Sequence, residues 1–233
     1  MYKELKQNFN DNQRKLRPLL KKKSTFLEAQ ELCLTQHSLV HSSLLKNKET
    51  TTLFDLVIEN INQDCFRNLQ DKDKRTIVFH IWHCTRIEDI TVNILINNSK
   101  QVINSDNWSK KLGTQFADTG NSMTSEQILK LSQELNIEQL LNYRLEVAKV
   151  TQNTIKKLKQ EDLKQTFTED QKNRIISEGA VLSHEKAIWL IDFWGKKNVA
   201  GILLMPVTRH HVLHINASMH LLTKCNKYIA KKL

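Results

Sequence analysis

Apolar residues recur at spacings of three and four along most of this chain, and strict alternation of apolar and polar positions is rare. Such a repeat places apolar side chains on one face of a helix, whereas strands need alternation and frequent turn residues. The 233 residues include only 5 Gly and 2 Pro, so turn residues are scarce. The pattern predicts an all-α protein built from long helices joined by polar loops.

The most regular apolar stripe runs through residues 75–96 (RTIVFHIWHCTRIEDITVNILI) and predicts the best-defined helix. Other long helical patterns begin at Ser24, after the capping residue Asn136 and at Pro206, the last of them ending near Tyr228. Shorter helical segments are predicted at 53–69, in the connector 97–121, at 125–135, after Thr168 and at 184–195. We therefore expect a four-helix bundle with additional short helices in its connections.

The chain carries a formal net charge of +10, and its densest basic cluster spans residues 14–23. We divide it into a basic N-terminal arm or short helix at 1–23 and a helical bundle domain at 24–233. A positive field attracts anions such as nucleic acid, acidic lipid headgroups or an anionic small molecule. No helix-turn-helix, zinc-finger or aromatic RNA-binding motif accompanies the charge, so we do not expect nucleic acid as a partner. Binding of DNA by the arm is the competing interpretation, and it predicts salt-sensitive retention that depends on residues 1–23.

The cellular setting is predicted from the first residues and from the cysteines. The opening stretch MYKELKQNFNDN has no apolar core of a signal peptide, and the longest apolar run, AGILLMPV, is too short to cross a bilayer. The four cysteines, Cys33, Cys65, Cys84 and Cys225, form no CxxC pair. We expect a cytoplasmic protein with free thiols and no membrane partner.

Four of the nine histidines fall within the stretch RHHVLHINASMH near the C-terminus. His210 and His214 are four residues apart, so on a helix they project from one face and can reach a single cation. They share an apolar stripe, whereas His211 and His220 are expected to face solvent. A third ligand must come from another helix, and His83 is the best candidate because it lies on the apolar stripe of its own helix. Three histidines with one open position are typical of a catalytic metal site.

Spacing alone does not select this set. His37 and His41 have the same four-residue spacing and also touch an apolar face, and His80 lies one turn before His83. A histidine on a helix is also commonly a packed or solvent-exposed residue without any ligand. The residues by themselves leave these alternatives open.

Three segments, HIWHCTRIEDITVNILI, DFWGKKNVAGILLMPVTRHHVLHINA and LVHSS, resemble the DinB-like superfamily. The resemblance covers about residues 26–222. Members are small helical bundles with a metal triad of one histidine on an early core helix and an HxxxH pair on the last core helix. The resemblance therefore implies that His83, His210 and His214 are the metal ligands, and imidazole ligands suit zinc or nickel.

Further residues near the triad invite weaker interpretations. Better-known members place a glutamine shortly after the final histidine, where this chain has Asn216, so their substrate contacts do not carry over. We assign His37 and His41 to cofactor binding, lining the same cavity or lying behind the ligands, with packed core residues as the alternative. Glu88 and Asp89 could orient a histidine or act as a base, but an ordinary salt-bridge face is the preferred interpretation.

These observations predict a metal-dependent enzyme acting on a small-molecule substrate. It would transfer a low-molecular-weight thiol to an electrophile, or hydrolyse an amide or ester. The positive charge suits an anionic thiol as cofactor and favours transfer. Whether the chain is an enzyme stays open, because a non-catalytic metal- or partner-binding module fits the same residues. We also expect a homodimer, since related bundles often associate through helix faces.

Overall fold

The structure is a computed structural model that describes residues 1–46, 50–59 and 61–230, without the side chains of Tyr228 and Ile229. The described α-helices are α1 (Tyr2–Leu19), α2 (Phe26–Leu39), α3 (Asp55–Ile58), α4 (Gln63–Asn68), α5 (Ile77–Ile90), α6 (Trp108–Leu112), α7 (Ser125–Glu134), α8 (Ile137–Lys157), α9 (Glu169–Ser177), α10 (Glu185–Gly195), α11 (Val199–Leu204) and α12 (His210–Ala230). Within these ranges the only β-structure is one isolated bridge between Thr166 and Asn198. The all-α prediction is therefore confirmed.

Helix α5 lies at the centre of the molecule, and every one of its residues is buried. It packs against α12 and α8, while α2 packs against α8 and α1. A wholly buried helix would normally be apolar on all sides, yet α5 carries two histidines, an arginine, a glutamate and an aspartate. Buried polar and charged groups must find partners inside the protein. The partners that these five residues find define the polar interior described below.

Several helix ends follow from side-chain caps that the sequence indicates. Asn136 accepts a hydrogen bond from the backbone N–H of Gln139 and starts α8. Thr124 with Gln127 and Thr168 with Gln171 form capping boxes at the starts of α7 and α9. The long helices predicted at 75–96 and after Asn136 are confirmed by α5 with its continuation to residue 96 and by α8.

The segment 53–69 forms two short helices, α3 and α4. Asn62 accepts a hydrogen bond from the backbone N–H of Cys65, and this cap gives α4 a start of its own.

Residues 1–23, expected as a basic arm or a short helix, contain the 18-residue helix α1. Its Phe9 and Leu16 are buried, and it packs against α2. The side-chain amide of Gln36 in α2 donates to the carbonyl of Phe9 at 2.9 Å. Five basic residues of this segment therefore lie on a helix that contributes to the hydrophobic interior, and Lys21, Lys22 and Lys23 follow its end.

The expectation of four free thiols is wrong for two of them. Cys65 and Cys225 form a disulfide that links α4 to α12, with their Cα atoms 6.0 Å apart. The two residues are 160 positions apart, so only the packing of the two helices could reveal the pair. Cys33 and Cys84 are free and buried.

Two widened turns extend the central helices. Residues 91–96 continue α5 as a π-helix, and residues 205–209 form a second π-helix between α11 and α12. Pro206 has no N–H to donate to the carbonyl one turn earlier, which favours the wider turn at that point. None of the helices in the described ranges combines the length and hydropathy required to span a bilayer.

Candidate metal centre

The structure brings His83, His210 and His214 together. A potential ligand atom from each ring lies within 4.8 Å of the others. The Nε2 atoms of His210 and His214 are 3.1 Å apart, and the His83 ring centroid is 5.2 Å and 4.7 Å from those of His210 and His214. The two elements that meet here are the middle of α5 and the first turns of α12.

The backbone before His210 is shaped by the π-helix at 205–209. The hydroxyl of Thr208 donates to the carbonyl of Leu203 at 2.8 Å, and the Gln13 side chain of α1 donates to the carbonyl of Leu204. These contacts satisfy carbonyls that the widened turn leaves without a regular helical partner. They fix the point at which α12 starts and therefore the face that His210 and His214 present to α5.

His83 is oriented by the loop between α6 and α7. Its Nδ1 lies 2.5 Å from the backbone carbonyl of Thr119, so Nδ1 carries the hydrogen and the lone pair is on Nε2. Gly120 follows with φ +75°, and a Cβ there would lie 2.8 Å from the Trp82 ring. The close approach of this loop to α5, which the His83 contact requires, thus depends on glycine.

His214 is oriented by a hydrogen-bonded chain that runs through His80 to Asp71. Its Nδ1 lies 2.9 Å from Nδ1 of His80, and Nε2 of His80 lies 3.0 Å from Oδ2 of Asp71. With Asp71 ionised, His80 donates through Nε2, accepts through Nδ1, and leaves the Nε2 lone pair of His214 facing the other two rings. Burial opposes ionisation of Asp71, but hydrogen bonds from His80 and from the backbone N–H groups of Arg75 and Asp73 outweigh it and lower its pKa to about 2.

The three rings are held in their neutral form. Burial is the main cause that lowers the pKa of His83 to about 3, and it also lowers the pKa of His210 and His214 well below the usual value. The charge of neighbouring imidazoles and of Arg75 adds to this effect at all three rings. Neutral imidazole is the form that binds a metal.

His37 and His41 lie in a second polar group, around Glu88. Nε2 of His37 is 2.7 Å from Oε1 of Glu88, and Nε2 of His41 is 2.9 Å from Oε2. Nε2 of His211 lies 2.8 Å from the same Oε2. The ring contacts of His37 and His41 in the described structure are with each other and with His211, and neither stacks on a ring of the His83 group. Both histidines were expected to line the cavity of the His83 group or to lie behind its ligands, and the structure places them on the carboxylate of Glu88.

Two interpretations from the sequence are overturned by this group. His211 was expected to face solvent, yet it is fully buried. Glu88 was assigned to a surface salt-bridge face, yet it is fully buried and surrounded by imidazoles. Burial alone would raise the pKa of Glu88, but the neighbouring histidines, His41 first, hold it well below the usual value. Helix α12 is enclosed on more than one side, which a single apolar stripe does not reveal.

Asp89 and Asn216 have structural partners. Asp89 pairs with Arg86 at 2.7 Å and accepts a hydrogen bond from the hydroxyl of Tyr143 at 2.6 Å, all inside the core. The side-chain oxygen of Asn216 accepts a hydrogen bond from the hydroxyl of Tyr2 in α1. Asn216 therefore joins α12 to α1.

The sequence patterns did not indicate that Asp71, Arg75 and Thr119 belong to the site. Each lies on a loop or a helix margin and reaches the His83 group only through the packing of α5. His80 was noted only as a competitor, although its position three residues before His83 on the same helix was a usable signal.

Comparison with known proteins supports one assignment. No curated protein matches this chain significantly. A family model described as the DinB superfamily matches residues 5–216, which run from α1 to the second turn of α12 and include all three histidines of the His83 group. The match also includes α1, so the part of this chain that matches the family begins at residue 5 and not at about residue 26, where the resemblance began. This chain belongs to the DinB superfamily.

Proposed function

We propose that this chain is a metal-dependent enzyme whose cation is held by His83, His210 and His214, and that α2, α5, α8 and α12 form the four-helix bundle of its family. The enzyme transfers a low-molecular-weight thiol to an electrophilic small molecule, and hydrolysis of an amide or ester is the second candidate reaction. The observation that supports this proposal is the convergence of three neutral imidazoles, two of which, His83 and His214, have their tautomers set by contacts outside the cluster.

The residues fit a divalent cation. With Zn–N bonds of about 2.0–2.1 Å, the ligands of a tetrahedral zinc lie about 3.3–3.4 Å apart, close to the 3.1 Å between Nε2 of His210 and Nε2 of His214. The His80 contact leaves Nε2 of His214 with a lone pair and no hydrogen. This lone pair faces Nε2 of His210. Nδ1 of His210 is buried and has no hydrogen-bond partner in the described structure. Three imidazoles leave one tetrahedral position for a substrate atom.

A bound cation of this kind supplies Lewis acidity, which lowers the pKa of a thiol or a water molecule and makes it nucleophilic near neutral pH. The protein's own contribution is to hold the three rings in fixed positions. His80 with Asp71 fixes His214, and the carbonyl of Thr119 fixes His83. Arg75 places a positive charge near all three rings, and such a charge attracts an anionic thiol or electrophile to the same point.

Metal analysis tests the site. Protein stripped with a chelator and re-equilibrated with zinc or nickel is compared with the variant His210→Ala plus His214→Ala. We expect the variant to bind one equivalent of metal fewer per chain, because a single remaining imidazole is a weak ligand. His220→Ala is the matched control, since His220 lies exposed on the same helix. An unchanged metal content in the folded double variant would overturn the site.

Turnover assays test the reaction. The metal-loaded protein is incubated with a cellular thiol and an electrophile such as a chloro-nitrobenzene or an epoxide, and loss of the electrophile is followed. Metal-dependent consumption that the double variant lacks supports transfer. Hydrolysis of amides or esters without added thiol supports the second reaction. A protein that binds its metal and turns over neither class of substrate is a non-catalytic metal-binding module.

We also propose that the protein forms a homodimer. Helix α10 leaves Ile188, Trp189 and Phe193 well exposed, and apolar side chains of this size favour association. Sedimentation equilibrium of the wild type and of Trp189→Ser measures this directly, and a monomeric wild type would overturn it.

A further inference from the structure

The group around Glu88 has more polar atoms than hydrogen bonds. Nε2 of His41 and Nε2 of His211 lie 2.9 Å and 2.8 Å from Oε2 of Glu88, yet none of these three atoms makes a hydrogen bond in the described structure. The Nδ1 atoms of His37 and His41 are buried without a partner as well. Unsatisfied buried polar atoms are rare in folded proteins, and a bound ion is one of their recognised explanations.

The arrangement of His37, His41 and Glu88 suits a cation. The two histidines follow an HxxxH spacing, with His37 in the last turn of α2 and His41 two residues after its end, and Glu88 comes from α5. One potential ligand atom from each of the three lies within 4.8 Å of the others, and all three side chains are at most 1% exposed. Two imidazoles with one carboxylate is a ligand set found at zinc and at non-haem iron sites.

His211 faces this set from α12 as a hydrogen-bond donor. Nη2 of Arg144 lies 3.0 Å from Nδ1 of His211, and because arginine can only donate, Nδ1 is the acceptor and Nε2 carries the hydrogen. This hydrogen-bearing Nε2 lies 2.8 Å from Oε2 of Glu88 without a completed hydrogen bond, so we assign His211 to positioning the carboxylate and not to binding the cation. Hydrogen bonds to a ligating carboxylate are a usual part of metal sites.

The charge of Glu88 faces imidazoles and not a lysine or an arginine. No lysine or arginine in the described ranges pairs with it, and its only ionic contacts are the three histidines. Arg144 directs its guanidinium to the carbonyl of Val40, the hydroxyl of Thr85 and the ring of His211. A fully buried carboxylate needs a compensating charge or metal.

We propose that His37, His41 and Glu88 form a second divalent-cation site, distinct from the His83 site and held in place by His211. The nitrogen–oxygen distances of 2.7 Å and 2.9 Å are shorter than the separation of about 3.3 Å between ligands of a tetrahedral zinc, so the side chains move apart by about half an ångström when the cation binds. The two sites are joined through the protein, because α5 supplies both His83 and Glu88, and α12 supplies both His210 and His211.

Zinc stoichiometry tests the proposal independently of the His83 site. Wild-type protein, stripped and re-equilibrated with zinc chloride, is expected to bind two equivalents per chain. The variant His210→Ala plus His214→Ala is expected to keep one, and addition of Glu88→Gln to it is expected to reduce zinc affinity at least tenfold. Glutamine preserves the shape of the side chain and removes its charge, and the exposed Glu138→Gln is the control.

The outcomes separate the two sites. A folded His210→Ala plus His214→Ala protein that binds no zinc overturns the second site and supports the first. If these buried substitutions prevent folding, crystals of wild-type protein soaked in zinc decide the matter by anomalous scattering at the zinc edge. Two peaks, one between His41 and Glu88, support the proposal. A single peak at the His83 site overturns it and leaves Glu88 as the centre of a metal-free polar network.

Discussion

Nδ1 of His80 lies 2.9 Å from Nδ1 of His214, although the two residues are 134 positions apart in the chain. The contact connects a candidate ligand on α12 to the carboxylate of Asp71 through a histidine on α5. A ring that would otherwise rotate about its side-chain bonds is thereby fixed with Nε2 towards the cluster. We therefore expect the metal affinity of the His83 site to depend on residues that do not bind the cation themselves.

Replacing His80 by Ala is expected to weaken zinc binding at the His83 site about 10- to 100-fold, the range typical of residues that orient a ligand. The maximum stoichiometry stays the same, because the three ligands are still present. Competition with a chromophoric chelator measures the affinity. Asp71→Asn should weaken binding less, because asparagine can still accept the hydrogen bond from His80.

His184→Ala is the matched control, since this histidine is exposed and caps α10. Equal zinc affinities for wild type and His80→Ala would show that α5 and α12 position His214 without the chain of hydrogen bonds.

The stability of the metal-free protein is expected to decrease as the pH falls below about 6.5, the usual pKa of histidine. The pKa of His83 in the fold is about 3, so between these values the unfolded chain binds a proton that the folded chain excludes. The free energy of unfolding then rises with pH across this window, by up to about 1.4 kcal/mol per pH unit for one histidine. His211, whose pKa is raised, acts in the opposite sense near neutrality.

Urea denaturation with a chelator present, at several values between about pH 7 and pH 4, measures this slope. His83→Gln removes one titrating ring and should make the slope shallower. Asp71 does not interfere, since a carboxyl with a pKa of about 2 loses its stabilising contribution only below its usual value of 3.8. A stability that is flat across the window in the wild type would contradict the neutral, buried state of these rings.

Much of the fold could be predicted because it depends on local patterns. The apolar stripe of α5 and the caps at Asn136, Thr124 and Thr168 are local signals, and each marks an element of the structure. The HxxxH spacing of His210 and His214 is local as well, and it determined their common face. The third member, His83, was predicted from its place on the apolar stripe of its helix and from the family resemblance.

The rest depends on contacts between distant segments. His211 was misassigned because a helix packed on several sides buries residues outside its main stripe. Glu88 follows the spacing of an ordinary surface charge, and only the approach of α2 and α12 reveals its imidazole partners. The pairing of Cys65 with Cys225 has no local signal of any kind.

The disulfide between Cys65 and Cys225 is expected to stabilise the oxidised protein by about 2–4 kcal/mol, because it closes a long loop of the unfolded chain. Cys65→Ser should lose this amount in oxidising buffer. In reducing buffer the wild type and the variant should be nearly equal, which separates the disulfide from any packing effect of the substitution. A thiol count on denatured, unreduced wild type is expected to give two free cysteines, Cys33 and Cys84. Four free thiols would show that the pair stays reduced.

Arg75 is expected to attract the anionic substrate of the His83 site. Its guanidinium lies 5.8 Å from the ring centroid of Phe79, and its charge contributes to lowering the pKa of all three candidate ligands. Since the side chain is only partly buried, it can still meet a ligand from solvent. Arg75→Gln should raise KM for an anionic thiol about tenfold, equivalent to about 1.4 kcal/mol, and leave kcat nearly unchanged.

Arg75→Lys keeps the charge and should restore most of the loss, while a neutral thiol should be used equally well by all three proteins. Added salt should reduce the difference between wild type and Arg75→Gln, because a partly exposed charge is screened. An equal effect on anionic and neutral thiols would mean that Arg75 acts on the folding of the loop before α5, where its backbone N–H donates to Asp71 at 2.9 Å, and not on the substrate's charge.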